Sequence, residues 1–225
     1  PPPNIVLVLV DDLGRQDTSV PFHTVRTPFN DLYRTPGVER LARQGVLFTN
    51  AYAASPVCTP TRSSIITGRH PARTHITDWT LHPDVEKQQR SRPSLSVASP
   101  DWNVRGVQPT DTTLPKLLRR GGYRTIHVGK AHFGPKGHEG ADPTNLGFDR
   151  NIGGTFAGRP PTYYGRRNYG KGKLRAVPHL EEYQGVVVLL AQFEVLCHHR
   201  RQVLAPLAHL LWRTEGRVHV SPAGR

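Results

Sequence analysis

The run Asn4-Ile5-Val6-Leu7-Val8-Leu9-Val10, followed at once by Asp11-Asp12-Leu13-Gly14, constrains the fold more than any other stretch of this 225-residue chain. Unbroken β-branched and leucine residues predict a strand buried on both faces, which suggests a parallel sheet. Two adjacent carboxylates at its end are costly to bury unless something cationic pairs with them. In open α/β sheets ligands gather at the carboxyl ends of strands, so this end of the sheet is the place to look for chemistry.

The rest of the chain reads as helices and strands in alternation. Thr35-Pro36 opens a short helix over 37–44 with Val38, Leu41 and Ala42 on one face, and Gly45 stops it. Residues 46–52 predict the next strand, and 61–67 a helix that opens after a loop carrying Cys58. Residues 78–110 show no period and read as loop. A helix over 113–120, with Pro115 near its start and Gly121-Gly122 at its end, precedes a strand over 123–128. Three polar clusters, at 11–12, 58–62 and 130–132, thus each follow a strand, and an α/β layout can bring them to one rim.

Composition narrows the function classes without choosing among them. Hydrophobic residues make up 36% and charged residues 21%, ordinary for a globular protein. No apolar run approaches the roughly 20 residues that span a bilayer. Two cysteines, Cys58 and Cys197, form no disulfide framework and leave the redox compartment open. The formal charge is +13, with 24 Arg against 6 Lys, which suits anionic partners but equally a solvated basic surface. The chain contains no methionine, so Pro1 is not expected to be a native start, and no signal peptide is visible.

Cys58 stands between two prolines, in Pro56-Val57-Cys58-Thr59-Pro60, just ahead of a helix. A helix N-terminus stabilises negative charge, and Arg62 one turn on adds to it, so a thiolate there would be reactive. A buried, inert cysteine is the usual alternative. The chemistry alone leaves both open.

The longer text is more specific. Cys58-Thr59-Pro60-Thr61-Arg62-Ser63-Ser64-Ile65-Ile66-Thr67-Gly68 resembles the sulfatase signature, whose core is Cys-x-Pro-x-Arg followed by an apolar pair and Thr-Gly. Gly122-Tyr123-Arg124-Thr125-Ile126-His127-Val128-Gly129-Lys130 resembles that family's second signature, and Asp11-Asp12 after an apolar strand its usual opening. The three come in the right order, and the resemblance runs from about residue 4 to 185.

That resemblance implies an alkaline-phosphatase-like fold, a large mixed and mainly parallel sheet flanked by helices, incomplete at the C-terminus. It implies that a formylglycine-generating enzyme oxidises Cys58 to formylglycine, with Pro60 and Arg62 in the recognition motif. One hydroxyl of the hydrated aldehyde attacks sulfur, and the second lets the covalent sulfate be expelled. Asp11 and Asp12, with residue 58, resemble part of a calcium site that would neutralise the sulfate. Lys130 and His132 resemble the sulfate-binding pair, with His132 as donor or acid, and Arg62 orients the formylglycine. The expected substrate is a sulfate ester, a sulfated glycan or an aryl sulfate, and the family suggests a periplasmic or secreted location.

The sequence also departs from the family. Ala131 and Arg15 stand where aromatic residues are common, which is expected to alter the pocket wall. A second acidic cluster normally completes the metal site, yet no Asp follows Asp149, and a further sulfate-contacting Lys and His have no counterpart. Residues 186–225 contain no Asp, Asn, Lys, Ile or Tyr but five Arg and four His, like GC-rich DNA read out of frame, or else a divergent extension with a short helix over 203–212. The expected organisation is therefore an N-terminal part of a sulfatase catalytic domain over 1–185 and an atypical tail over 186–225, with low or no activity in the chain alone. Two other readings stand beside this one. A phosphoester or phosphonate hydrolase would use the same site. A non-catalytic polyanion-binding fragment would use the Arg- and Tyr-rich run 159–171, for which nucleic acid is not the favoured ligand.

Overall fold

A computed structural model describes residues 2–80 and 103–159 in full and the backbone of 192–197. The run 160–171, the helix expected over 203–212, most of the loop expected over 78–110 and the text around 177–185 lie outside the described residues.

Strand β1 is Ile5–Leu9, followed by helices α1 (Pro28–Leu32), α2 (Pro36–Gln44), α3 (Cys58–Thr67) and α4 (Pro71–Thr74). Helix α5 (Leu114–Arg120) leads into β2 (Arg124–Val128), two 3₁₀ turns (Glu139–Ala141 and Pro143–Leu146) lead into β3 (Arg150–Ile152), and β4 is Gln192–Cys197. The sheet order is β1-β4-β2-β3. β4 is antiparallel to both neighbours, with Val195 level with Val6 on one side and Ile126 on the other, while β2 and β3 are parallel. Three strands therefore run one way and the fourth against them, a small mixed sheet with helices beside it. The segment after 185, which reads as atypical, contributes a central strand.

The core does not sit on β1. Ile66 of α3, Ile76, Val107, Ala131, Phe133, Leu146 and Phe148 form the buried apolar cluster, packed behind the loop that leaves β2. Ala131 is fully buried within it, so the small residue there is a core residue and not a pocket wall. β1 is less covered than its composition predicts, with Val6 53% and Val8 47% exposed.

The strand expected over 46–52 does not form. The segment has no regular structure, and Phe48 is 73% and Tyr52 89% exposed. A strand needs a neighbour for its backbone ladder, and the place between β1 and β2 belongs to β4. Similarly, α2 forms where its pattern predicts, but Leu41 on its apolar face is 67% exposed.

Around the core, buried polar groups are tied to backbone. Thr113 donates to the Leu146 carbonyl at 2.5 Å. Asp149 accepts the Thr125 N–H at 2.8 Å and pairs with Arg119 at 3.1 Å, joining the end of α5, the start of β2 and the approach to β3.

Candidate active site

Helix α3 begins at Cys58, three residues earlier than its pattern predicts. Pro60 does not delay it, because the first turn of a helix has no use for the N–H that proline lacks. Thr61 donates its side-chain hydroxyl to the Ser55 carbonyl at 2.6 Å and its N–H to the Val57 carbonyl at 3.3 Å, which pins the incoming loop. Cys58 is therefore the first helical residue, half-buried, with its sulfur at the helix N-terminus.

β1 ends in a turn containing Asp11 and Asp12, the latter at φ +58°, a left-handed conformation that aspartate tolerates. β2 ends at Val128, and Gly129 continues the ladder by donating to the Ile152 carbonyl at 2.8 Å before the chain turns out at Lys130.

These three ends meet. The Lys130 ammonium lies 3.1 Å from the Cys58 sulfur and also binds the Asp11 carboxylate. Arg62, 2% exposed, holds the other Asp11 oxygen and donates to the Lys130 carbonyl at 2.9 Å. Asp11, Cys58, Arg62 and Lys130 thus form one cluster assembled from β1, α3 and the end of β2. Burial alone would raise the Asp11 pKa, but Arg62 and Lys130 outweigh it and hold the carboxyl below its ordinary value. Two cations against one carboxylate leave the cluster net positive beside the sulfur, which suits an anionic ligand.

Asp12 stands exposed next to this cluster with no hydrogen bond or ion pair to the described residues. Among the described residues no three His, Cys, Asp or Glu side chains are grouped to hold a metal ion. The donor set still suits a hard cation, since both carboxylates are oxygen donors on one turn and Asp12 is uncommitted.

His132 lies two residues past Lys130 and, among the described residues, makes its hydrogen bonds to Thr80 and Thr155 and none to the cluster. Its ring is buried, with Nε2 2.7 Å from the Thr80 carbonyl. A carbonyl only accepts, so Nε2 carries the proton. Burial first, and then the Lys130 charge, lower its pKa to about 4, so the ring is neutral at pH 7 and its single N–H is already engaged. Nδ1 is buried without a partner among the described residues.

Two residues of this region have no role assigned to them by the motifs. His127 on β2 is fully buried, edge-on to Phe133 and Phe148 at centroid distances of 5.6 and 5.3 Å. Thr80, from the stretch without a period, supplies the carbonyl that holds His132.

A family model described as Sulfatase matches residues 3–184. Human N-acetylgalactosamine-6-sulfatase is 34% identical over 154 residues, covering 68% of this chain and 25% of that protein. Human steryl-sulfatase is 38% identical over 152 residues, covering 65% and 22%. The chain thus spans about a quarter of the length of the curated relatives it matches. The crystal structure of Ps i-CgsB in complex with k-i-k-neocarrahexaose aligns with 80% of this chain and 33% of that one, at 24% identity and a TM-score of 0.48.

Proposed function

The chain belongs to the sulfatase family, and we propose that it is the part of a sulfuric ester hydrolase that carries the nucleophile. The observation behind this reading is the Lys130 ammonium 3.1 Å from Cys58, with Arg62 buried behind both. An alkaline-phosphatase-like architecture is part of the same reading.

In this reading residue 58 acts as formylglycine, whose hydrated aldehyde supplies a hydroxyl nucleophile and a built-in route for releasing the sulfate. The chain's own residues prepare that position. The first turn of α3 holds residue 58 where backbone N–H groups and the helix dipole favour negative charge. Lys130 places a point charge on the reacting oxygen or on the sulfate. Arg62 fixes Lys130 through its carbonyl and keeps Asp11 ionised, so the charges are set before substrate arrives. Asp11, Asp12 and the group at 58 would hold a divalent cation, for which their oxygen donors suit calcium, and it would neutralise sulfate charge. His132, neutral and donating to Thr80, stands as a proton acceptor through Nδ1.

Two results test this. Co-expression with a formylglycine-generating enzyme is expected to convert Cys58, read as the intact mass of the 55–69 peptide and as hydrazide labelling. Cys58→Ala should abolish labelling, and Pro60→Ala or Arg62→Ala should reduce it. Equal labelling of all variants would remove Cys58 from the role. The converted 225-residue chain is expected to hydrolyse aryl sulfates slowly even with added calcium, since Asp11, Asp12 and residue 58 offer three side-chain ligands where calcium takes 6–8 oxygens. Fast turnover would show that these ligands suffice. An aryl phosphate assayed in parallel separates sulfate from phosphate preference.

A further inference from the structure

Thr59 sits beside the nucleophile position on α3 and is completely buried. Its hydroxyl oxygen accepts the Thr80 N–H at 3.2 Å, and the Thr80 carbonyl accepts from His132 Nε2 at 2.7 Å. Both peptide groups flanking Thr80's Cα are thereby committed, one to α3 and one to the imidazole. On its other side the ring lies against Gly158, where an added Cβ would come within 3.1 Å of Nδ1. The His132 backbone is also fixed, at φ +54° with its N–H donating to the Thr155 carbonyl at 2.9 Å. Neighbouring residues of α3 therefore reach neighbouring parts of one loop: Cys58 meets Lys130 directly, and Thr59 meets His132 through Thr80.

We propose that Thr59 is a positioning residue that, by holding Thr80, locks His132 in the Nε2–H tautomer and keeps Nδ1 as an unprotonated acceptor. Its use in turnover rests on the sulfatase reading; the tether itself does not. A threonine placed only to fill space would need its methyl group and not its oxygen. Here, among the described residues, the oxygen is the sole side-chain acceptor for the N–H of a residue that is itself 2% exposed. Losing it would leave that N–H unpaired in the interior and free the carbonyl to turn away. The charged groups acting on the ring, Lys130, Arg62 and Asp11, are the same whichever residue stands at 59.

The test is nitrogen NMR of the ¹⁵N-histidine-labelled full chain, with His132 assigned by its loss in His132→Gln. The wild-type chain should show a protonated Nε2 and an unprotonated Nδ1 near neutral pH; an Nδ1–H tautomer would overturn the proposal before any variant is made. Thr59→Val, which keeps the shape, should mix the tautomers and lower the His132 titration further, because the Thr80 carbonyl that favours the protonated ring is freed to turn away. Thr59→Ser should match the wild type. Unchanged His132 shifts in Thr59→Val, or Thr59→Ser behaving like valine, would show that packing and not the hydrogen bond sets the ring. Should Thr59→Val fail to fold, the wild-type tautomer and the serine comparison decide. Hydrazide labelling of Cys58 in the same samples reports on the sulfatase reading separately, since no part of the NMR result depends on conversion or turnover.

Discussion

Arg62→Ala is expected to lower folding stability by about 3–5 kcal/mol, the usual result of removing one partner from a buried ion pair. Among the described residues Arg62 is the largest of the fully buried side chains, and it joins three elements: its own helix, Asp11 after β1, and the Lys130 carbonyl after β2. Without it Asp11 keeps only Lys130, the Lys130 carbonyl loses its donor, and a guanidinium-sized void opens beneath the cluster. Most domains are stable by roughly 5–15 kcal/mol, so a large fraction of the total would go. Arg62→Lys keeps the charge but has no planar fork to serve a carboxylate and a carbonyl together, and should recover only part of the loss. Urea denaturation of the three proteins measures this. A loss under about 1 kcal/mol for Arg62→Ala would mean that the buried pair is not holding the three elements together.

The second large effect is acid lability. Burial, and then the Arg62 charge, lower the His127 pKa to about 3, while His132 is lowered to about 4. The unfolded chain therefore takes up protons on both rings near pH 6.5 while the folded chain refuses them. The stabilisation is complete above that pH and is lost as pH falls toward the folded values, at about 1.4 kcal/mol per pH unit for each ring. Between pH 6.5 and 4.5 the two together remove on the order of 5 kcal/mol. Asp11, with its lowered pKa, adds loss of the same sign below the ordinary carboxylate range. Thermal melts at successive pH values should fall steeply from about pH 6 downward. In His127→Leu roughly half of the fall between pH 6.5 and 4.5 should vanish, because one of the two rings is gone. Parallel curves for wild type and variant would show that His127 is protonated equally in both states.

The cluster itself was legible because each member follows a strand or opens a helix, and such places recur in the text as an apolar run broken by charge. Spacing and resemblance point to six residues at one rim, Asp11, Asp12, Cys58, Arg62, Lys130 and His132; direct contacts join Asp11, Cys58, Arg62 and Lys130, while Asp12 stands exposed beside them and His132 is held by Thr80. The Thr59–Thr80–His132 tether was not legible, since one carbonyl accepting from an imidazole leaves no trace in residue type, and Thr80 lies in a stretch without period. Residues 46–52 misled for a different reason. Their Val, Phe and Tyr are good strand formers, but strand formation is decided by a neighbour, and the neighbour of β1 comes from residues 192–197, far away and in unusual text. Ala131 stands where the family commonly has an aromatic residue, which points to the wall of the site. It is instead wholly buried in the core, next to the left-handed turn at His132.

The position of β4 also sets an order of events during synthesis. Val128 pairs with Ile152 across 24 residues, whereas Ile5 pairs with Leu196 across 191. The first pairing can close early; the second must wait until residues 192–197 have been made. At about 5–20 residues per second, β1 leaves the ribosome roughly 10–40 s before its partner exists. Through that interval Val6 and Val8 have no strand beside them, and a bare apolar strand is a template for association with other chains. The slow step in folding should therefore be the insertion of 192–197 between two edges already formed, with the expense of closing so long a loop carried by the ladder on both sides of it.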